Sequence, residues 1–198
     1  MNERVTAIWQ RVLAFGLLPF LLLGCSIMQP PGAAAQERTA IDRQVARLRI
    51  DHLASGYTAG GSLGFRLIDT SIQEQLYRRA DRTDRGLLWS AQFVSRWPLN
   101  EDQLDRWSAQ VGGLVTDELG TNVRLAGWER MAANDIGDQR VAYRYNLATE
   151  TGERVGEATI VVFAQGNQVG LTAAATLGGT VPVDASNLAR MMLGTASS

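Results

Sequence analysis

Residues 139–177, QRVAYRYNLATETGERVGEATIVVFAQGNQVGLTAAATL, contain three consecutive stretches that are typical of β-strands. Apolar and polar residues alternate over 139–147, β-branched and aromatic residues dominate 154–165, and alternation returns over 168–177. The dipeptide at 166–167, Gly-Asn, is a two-residue hairpin signal. We therefore predict an antiparallel β-meander for this part of the chain.

Helix-start signals flank the meander. Asn100 is a good N-cap for an apolar stripe that ends at Gly120, and Asp184 is one for a closing helix. Two more strands are predicted over 86–97 and 122–131 because both segments are rich in apolar and aromatic residues.

Two further helices are predicted before these elements. Apolar residues recur at helical spacing over 37–53, and Ser71-Ile72-Gln73-Glu74 has the form of a capping box for a short helix. Helices placed before and after grouped strands indicate an α+β fold. We expect 37–198 to form a single α+β domain, with an antiparallel β-meander sheet of about 4–5 strands covered by helices on one face.

The composition excludes several kinds of chemistry. The 198 residues include 19 basic and 20 acidic ones, so the net charge of −1 offers no field that attracts nucleic acid. All the basic residues are arginine, and the chain has one Cys and one His. These counts exclude a lysine Schiff base, a disulfide framework and a multi-histidine zinc site. We expect no cofactor, no metal and no nucleic-acid partner.

The N-terminus is organised like a secretory signal peptide. Arg4 and Arg11 precede a charge-free run from Val12 to Leu23. This run is shorter than the roughly 20 apolar residues that cross a bilayer, and Pro19 interrupts it. We therefore predict that residues 1–24 direct export and are then removed.

The apolar run ends in Leu22-Leu23-Gly24-Cys25, and Cys25 is the only cysteine. This tetrapeptide resembles the lipobox of bacterial lipoprotein signal peptides. The resemblance implies that the Cys25 thiol carries a diacylglyceryl group and that cleavage makes Cys25 the first mature residue. Residues 25–36 lack charge and contain Pro30-Pro31, which predicts a lipidated tether. The alternatives are an uncleaved signal anchor and a buried core cysteine.

The order of elements in the folded part suggests a second resemblance. A helix, a set of strands and a closing helix between Asn100 and Leu193 resemble the small α+β domains of the PsbP/Mog1 type. The resemblance rests on this order and on residues 140–145 and 184–193. Members of that group are mostly assembly factors or binding modules, so the resemblance implies a role without catalysis.

One pentapeptide matches a catalytic motif. Gly60-Gly61-Ser62-Leu63-Gly64 has the G-x-S-x-G pattern of a hydrolase nucleophile elbow, which needs a strand before the serine, a helix after it and a later histidine. The only histidine, His52, precedes the motif and follows Asp51. We favour a glycine-rich loop for this pentapeptide and a helix-end position for His52. A small serine hydrolase that uses Ser62 and His52 is the alternative.

A group of acidic residues suggests a calcium or magnesium site as one interpretation. These residues are Asp81, Asp84, Glu101, Asp102, Asp105, Asp117 and Glu118. They lack the spacing of a calcium loop, and arginines are interleaved with them. We therefore predict a solvated face on which opposite charges neutralise one another.

Large aromatic residues are numerous for a chain of this size: Trp89, Trp97, Trp107, Trp128, Tyr143, Tyr145 and Phe163. We favour a role in filling the interface between helix and sheet. The alternative is an apolar ligand pocket in which Arg140 or Arg144 holds an anionic headgroup.

These observations predict an exported bacterial lipoprotein, attached to the membrane through lipid on Cys25 and lying on the extracytoplasmic or periplasmic side. We expect a binding or assembly module with a small apolar or anionic ligand or an envelope protein partner. The sequence predicts no catalytic residues. A purely structural envelope lipoprotein is a further alternative to the serine hydrolase.

Overall fold

The computed structural model describes residues 56–80, 84–120, 122–179, 181 and 183–194. The predicted signal peptide, the tether with Cys25, and the helix over 37–53, which includes His52, lie outside these residues. Those features therefore stay predictions.

The described residues form seven strands and two helices. They are β1 (Thr58–Ala59), β2 (Gln73–Ala80), β3 (Arg85–Val94), α1 (Glu101–Leu119), β4 (Val123–Arg130), β5 (Gln139–Thr149), β6 (Arg154–Gln165), β7 (Gln168–Leu177) and α2 (Ala185–Leu193). One antiparallel sheet contains all the strands in the order β1-β2-β3-β7-β6-β5-β4. The α+β class is confirmed, whereas the predicted strand count of four to five is too low.

The chain builds this sheet from two meanders. Strands β1 to β3 form the first, and α1 then carries the chain to the far edge of the sheet, where β4 lies. Strands β4 to β7 return across the sheet until β7 pairs with β3, with Trp89 opposite Ala173. Strand β4 consequently occupies one edge and the two-residue β1 the other.

The additional strands are β1 and β2, and β2 replaces the helix that Ser71 was expected to begin. Strand β2 pairs with β3 along its whole length, with Leu76 opposite Trp89. The Glu74 carboxylate accepts a hydrogen bond from the Trp89 indole at 3.0 Å instead of capping a helix. Because cross-strand pairing and burial contribute more than one local cap, the tertiary contact overrides the capping-box pattern.

The elements that have strong local signals in the sequence form as predicted. The side chains of Asn100 and Asp184 accept hydrogen bonds from Gln103 N at 2.9 Å and Asn187 N at 2.8 Å, as N-caps do. At the β6–β7 turn, Gly166 has a φ of 59°, which is the conformation that a type II′ turn requires at its first central position.

The two helices cover opposite faces of the sheet, so the prediction that one face is covered was wrong. Ile160 packs in the cluster beneath α1, with Leu104, whereas the next residue, Val161, packs in the cluster beneath α2, with Leu188. Successive side chains on a strand point to opposite faces, so these neighbours reach different helices. The central strands are therefore buried on both sides.

Two buried threonines hold the start of α2 on the sheet. The Thr159 hydroxyl accepts a hydrogen bond from Ala185 N at 2.9 Å, and the Thr172 hydroxyl donates to Ala185 O at 2.7 Å. Both threonines are buried. Together they satisfy both main-chain polar groups of Ala185, the first residue of the helix. Its N–H is one of those that have no partner within the helix.

We predict that Thr159→Val lowers the free energy of unfolding by about 1–3 kcal/mol, because it leaves the buried Ala185 N–H without an acceptor. Urea unfolding followed by tryptophan fluorescence measures the change. Thr159→Ser keeps the hydroxyl and should lose less stability. Equal losses for the valine and serine variants would contradict the importance of this hydrogen bond.

Candidate functional site

Residues 60–64, which matched a nucleophile motif, form part of a loop. Ser62 lies in a segment without helix or strand, after the two-residue β1 and before β2. No helix follows it, so residues 60–64 do not form the strand–turn–helix of a nucleophile elbow. The other member of the hypothetical pair, His52, lies outside the described residues.

The Ser62 hydroxyl belongs to a cluster of hydrogen bonds around Glu74. One carboxylate oxygen of Glu74 accepts from Ser62 Oγ at 2.9 Å, Leu63 N at 3.0 Å and Trp89 Nε1 at 3.0 Å. The segment also buries Leu63 and Phe65 in the core beneath α1. Glu74 thus holds the glycine-rich segment against the sheet, and the Ser62 hydroxyl contributes to this structural contact.

The acidic residues do not converge on one point. Asp84 pairs with Arg79, Glu101 with Arg130 and Glu118 with Arg78, while Asp105 accepts a hydrogen bond from Tyr143. Within the described part of the chain, no group of three or more His, Cys, Asp or Glu side chains is arranged to hold a metal ion. These carboxylates are therefore neutralised or hydrogen-bonded one by one, and Asp81 lies outside the described residues.

The large aromatic residues do not line one common pocket. Trp89, Trp107 and Tyr145 are buried in the core beneath α1, whereas Phe163 is buried on the opposite face. Trp97 and Trp128, by contrast, are 73% and 67% exposed. The prediction of core filling is therefore confirmed for the buried rings only.

Arg140 and Arg144 lie on the α2 side of β5 but belong to different depressions of the surface. Arg144 forms an ion pair with Glu129 at 2.7 Å. Its depression, of about 380 Å³, is also lined by Trp128, Asn146, Arg154 and Glu157. Arg154 and Glu157 lie 3.7 Å apart there, so both arginines of this depression have a carboxylate partner.

A larger depression lies where β4 ends, α1 begins and the loop 131–138 connects β4 to β5; we name it the end cavity. Its volume is about 450 Å³. The lining residues are Glu101, Leu104, Arg130, Met131, Ala133, Asn134, Asp138, Gln139, Arg140 and Ala142.

The charged side chains around the end cavity differ in whether they have a partner of opposite charge. Arg130 is paired with Glu101, and the hydrogen bond between them raises the pKa of the Arg130 guanidinium. The Asp138 carboxylate accepts from Gly166 N at 2.9 Å, on the neighbouring hairpin. Arg140 is half-buried and hydrogen-bonds to no carboxylate among the described residues, and Asp135 acts on it only through space. It is therefore the cation of the end cavity best placed to hold an anion.

Arg140 is held in place by neutral oxygens. Its guanidinium donates to Gly137 O at 3.1 Å and, at the longer distance of 3.5 Å, to Asn134 Oδ1. A guanidinium has five N–H groups, so others stay free to bind a ligand. The arrangement suits two-point recognition of a carboxylate or a phosphate.

The loop that forms one wall of the end cavity is fixed from outside. Asp135 accepts two hydrogen bonds from Arg190 of α2, at 2.6 and 3.2 Å, which lower the pKa of the Asp135 carboxyl. Ala133 and Ile136 are buried in the core beneath α2. The wall therefore has a defined position before any ligand binds, which reduces the entropy lost on binding.

An aromatic pair lies on the α1 side of β4 and β5. Trp128 and Tyr143 meet edge to face with their ring centroids 5.4 Å apart. The Tyr143 hydroxyl donates to Asp105 at 2.7 Å, and burial together with this bond raises the pKa of Tyr143 to about 12. The phenol consequently stays protonated at physiological pH and acts as a hydrogen-bond donor.

Sequence reasoning singled out Arg140 but missed Arg130, Asn134 and Gln139. A usable signal was present in the loop between two predicted strands. In an antiparallel hairpin, the residues on either side of the loop come to the same end of the sheet, so Arg130 and Arg140 had to lie near each other. The depth of the cavity depends on α1 and on the burial of the loop, which this pattern does not specify.

No protein-family model, curated protein or solved structure matches this chain. Among the described residues, no helix combines the length and the apolar character needed to span a membrane.

We predict that Glu74→Ala lowers the free energy of unfolding by about 2 kcal/mol, because it removes the acceptor for the Trp89 and Leu63 N–H groups. Ser62→Ala should cost less than about 1 kcal/mol, since the two hydrogen bonds of its hydroxyl, to Glu74 and from Gly64 N, are both exposed. Urea unfolding measures both variants. An ester hydrolysis that wild type performs and Ser62→Ala abolishes would contradict the structural role of Ser62.

Proposed function

We propose that this protein is an exported, lipid-anchored lipoprotein whose folded part is a binding module without catalytic activity. The sequence around Cys25 supports the anchor: the only cysteine directly follows a charge-free apolar run and closes the tetrapeptide Leu22-Leu23-Gly24-Cys25. The proposed location is the extracytoplasmic side of a bacterial membrane. Two or three acyl chains hold a protein there far more firmly than one.

The end cavity supports the binding role. Arg140 is the observation that carries this part of the proposal, because it is half-buried, held by neutral oxygens and beside a cavity of about 450 Å³. The cavity is lined mainly by polar side chains, so a small molecule with a carboxylate or phosphate group suits it better than an apolar one. Asn134 and Gln139 would supply further hydrogen bonds.

The pattern of pairing among the charges supports binding rather than catalysis. In the described part of the chain, Ser62 donates to a carboxylate oxygen that also accepts two N–H groups. Tyr143 keeps its proton up to about pH 12. Neither group stands beside the end cavity as a poised nucleophile or general base.

We predict that Cys25→Ser abolishes both the attachment of lipid and the cleavage before residue 25. Wild-type protein should stay in the membrane pellet through a high-salt wash, and its intact mass should equal that of residues 25–198 plus the attached lipid. The serine variant should carry no lipid and should keep residues 1–24. Ser26→Ala, which keeps the thiol, is the control. Normal processing and pellet retention of Cys25→Ser would contradict lipid anchoring.

We predict that Arg140 governs the binding of small anions. Titration of the mature protein with inorganic phosphate at constant ionic strength should shift the amide NMR signals of the loop 131–138. Arg140→Gln should weaken this binding about tenfold or more, because a charge-assisted hydrogen bond is lost. Arg144→Gln is the matched control and should bind as wild type does. Equal titration curves for the two variants would exclude the end cavity as the binding site.

A further inference from the structure

The outer edge of β4 is the longest unpaired strand edge in the described part of the chain. It has eight residues, VRLAGWER, whereas the other edge strand, β1, has two. It contains no proline, and Trp128 stands on it 67% exposed. Open edges of this kind can accept a further strand through main-chain hydrogen bonds.

We propose that the partner of this edge is a second copy of the same chain, paired antiparallel with β4 about a two-fold axis between Ala126 and Gly127. The two sheets would thereby join into one continuous sheet. This inference goes beyond the proposed function and does not depend on Cys25 or on the end cavity.

Main-chain direction selects the residues that would pair. Met131 N donates to Ala142 O at 2.8 Å, so the main-chain groups of Met131 and of every second residue before it point inward to β5. Those of Arg130 and Trp128, which alternate with them, point to the open edge.

A β-bulge reverses this alternation in the first half of the strand. The pairing register with β5 shifts between Leu125 and Gly127. Val123 lies opposite Thr149, whose N–H and C=O bond to Glu153 and Gly152 of the following turn rather than to β4. The main-chain groups of Val123, and by alternation those of Leu125, therefore point to the open edge.

The four outward-pointing residues define one symmetric register. In an antiparallel pair of identical strands, Val123 lies opposite Arg130 of the second copy when Leu125 lies opposite its Trp128. This register uses all four residues in both copies, and its two-fold axis passes between Ala126 and Gly127. The bulge thus places the two-fold axis between two residues, whereas in a regular strand the axis would pass through one residue.

The side chains independently fit the same register. It places Arg124 opposite Glu129 of the second copy, and symmetry repeats this pair of opposite charges. Both side chains are exposed and lie on the face of their partners on β5, Ala148 for Arg124 and Arg144 for Glu129. Within one chain, Glu129 pairs with Arg144 and Arg124 donates to Thr149 O, so the contact between copies would extend these interactions across the axis. On the opposite face, the exposed Trp128 would cover Leu125 of the second copy. Charges of opposite sign and an aromatic–aliphatic pair are favourable cross-strand neighbours.

The test exchanges charges in the purified protein, kept in detergent, and measures its oligomeric state by sedimentation and native mass spectrometry. Wild type should be dimeric. Arg124→Glu and Glu129→Arg should each weaken the homodimer about tenfold or more, because each places two like-charge pairs across the axis. Glu153→Arg, an exposed charge reversal in the β5–β6 turn, is the control and should leave the dimer intact.

Mixing the two weakened variants separates the proposed register from a general loss of folding. An Arg124→Glu chain and a Glu129→Arg chain present opposite charges at both positions, so together they should form a mixed dimer about as stable as wild type. Three results would overturn the proposal: a monomeric wild type, single variants that dimerise as wild type does, or a mixture that dimerises no better than its components.

Discussion

Burial of β6 and β7 on both faces is the constraint on which the rest of the molecule depends. Neighbours such as Ile160 and Val161 send their side chains to different helices, so neither helix alone can complete the core. The polar groups enclosed on the α2 side are satisfied at the same time, since Thr159 and Thr172 bond to both main-chain groups of Ala185. Burying main-chain polar atoms is unfavourable unless they are hydrogen-bonded. The central strands meet this requirement by pairing with their neighbours, and the start of α2 meets it through the hydroxyl groups of Thr159 and Thr172.

The buried strands β6 and β7 leave the exposed polar side chains to the outer part of the sheet. Burial falls from β6 towards β4, whose residues are mostly exposed. The end cavity, the depression of Arg144 and the exposed Trp128 lie at β4 and β5, on this less buried side of the sheet. Arg144 is neutralised there by Glu129, whereas Arg140 is held by the oxygens of Gly137 and Asn134. Binding at the end cavity would therefore rely on the geometry of one guanidinium rather than on a general positive field, which agrees with a net charge of −1.

The same outer strand combines features that usually oppose strand addition with features that favour it. Charged residues and a bulge commonly protect an edge from indiscriminate pairing. In β4 these features are arranged symmetrically about Ala126 and Gly127, with Arg124 on one side and Glu129 on the other. An edge of this kind rejects most strands while accepting its own copy, which is how specificity arises from a surface with little apolar area.

Short-range signals were sufficient for much of this fold. The caps at Asn100 and Asp184, the alternation in β5 and β7 and the turn at Gly166 each depend on atoms a few residues apart, so the sequence alone determined these elements. It also singled out Arg140, but not the cavity around it. Only the tertiary structure decided that Glu74 belongs to a strand, because its partner Trp89 lies fifteen residues away. The placement of the helices on opposite faces was likewise a tertiary decision. The strand assignment of Glu74 and the placement of the helices both depend on which buried surfaces meet across the sheet. A contact between residues far apart in sequence produces no periodic pattern in the sequence, so it could not be predicted from it.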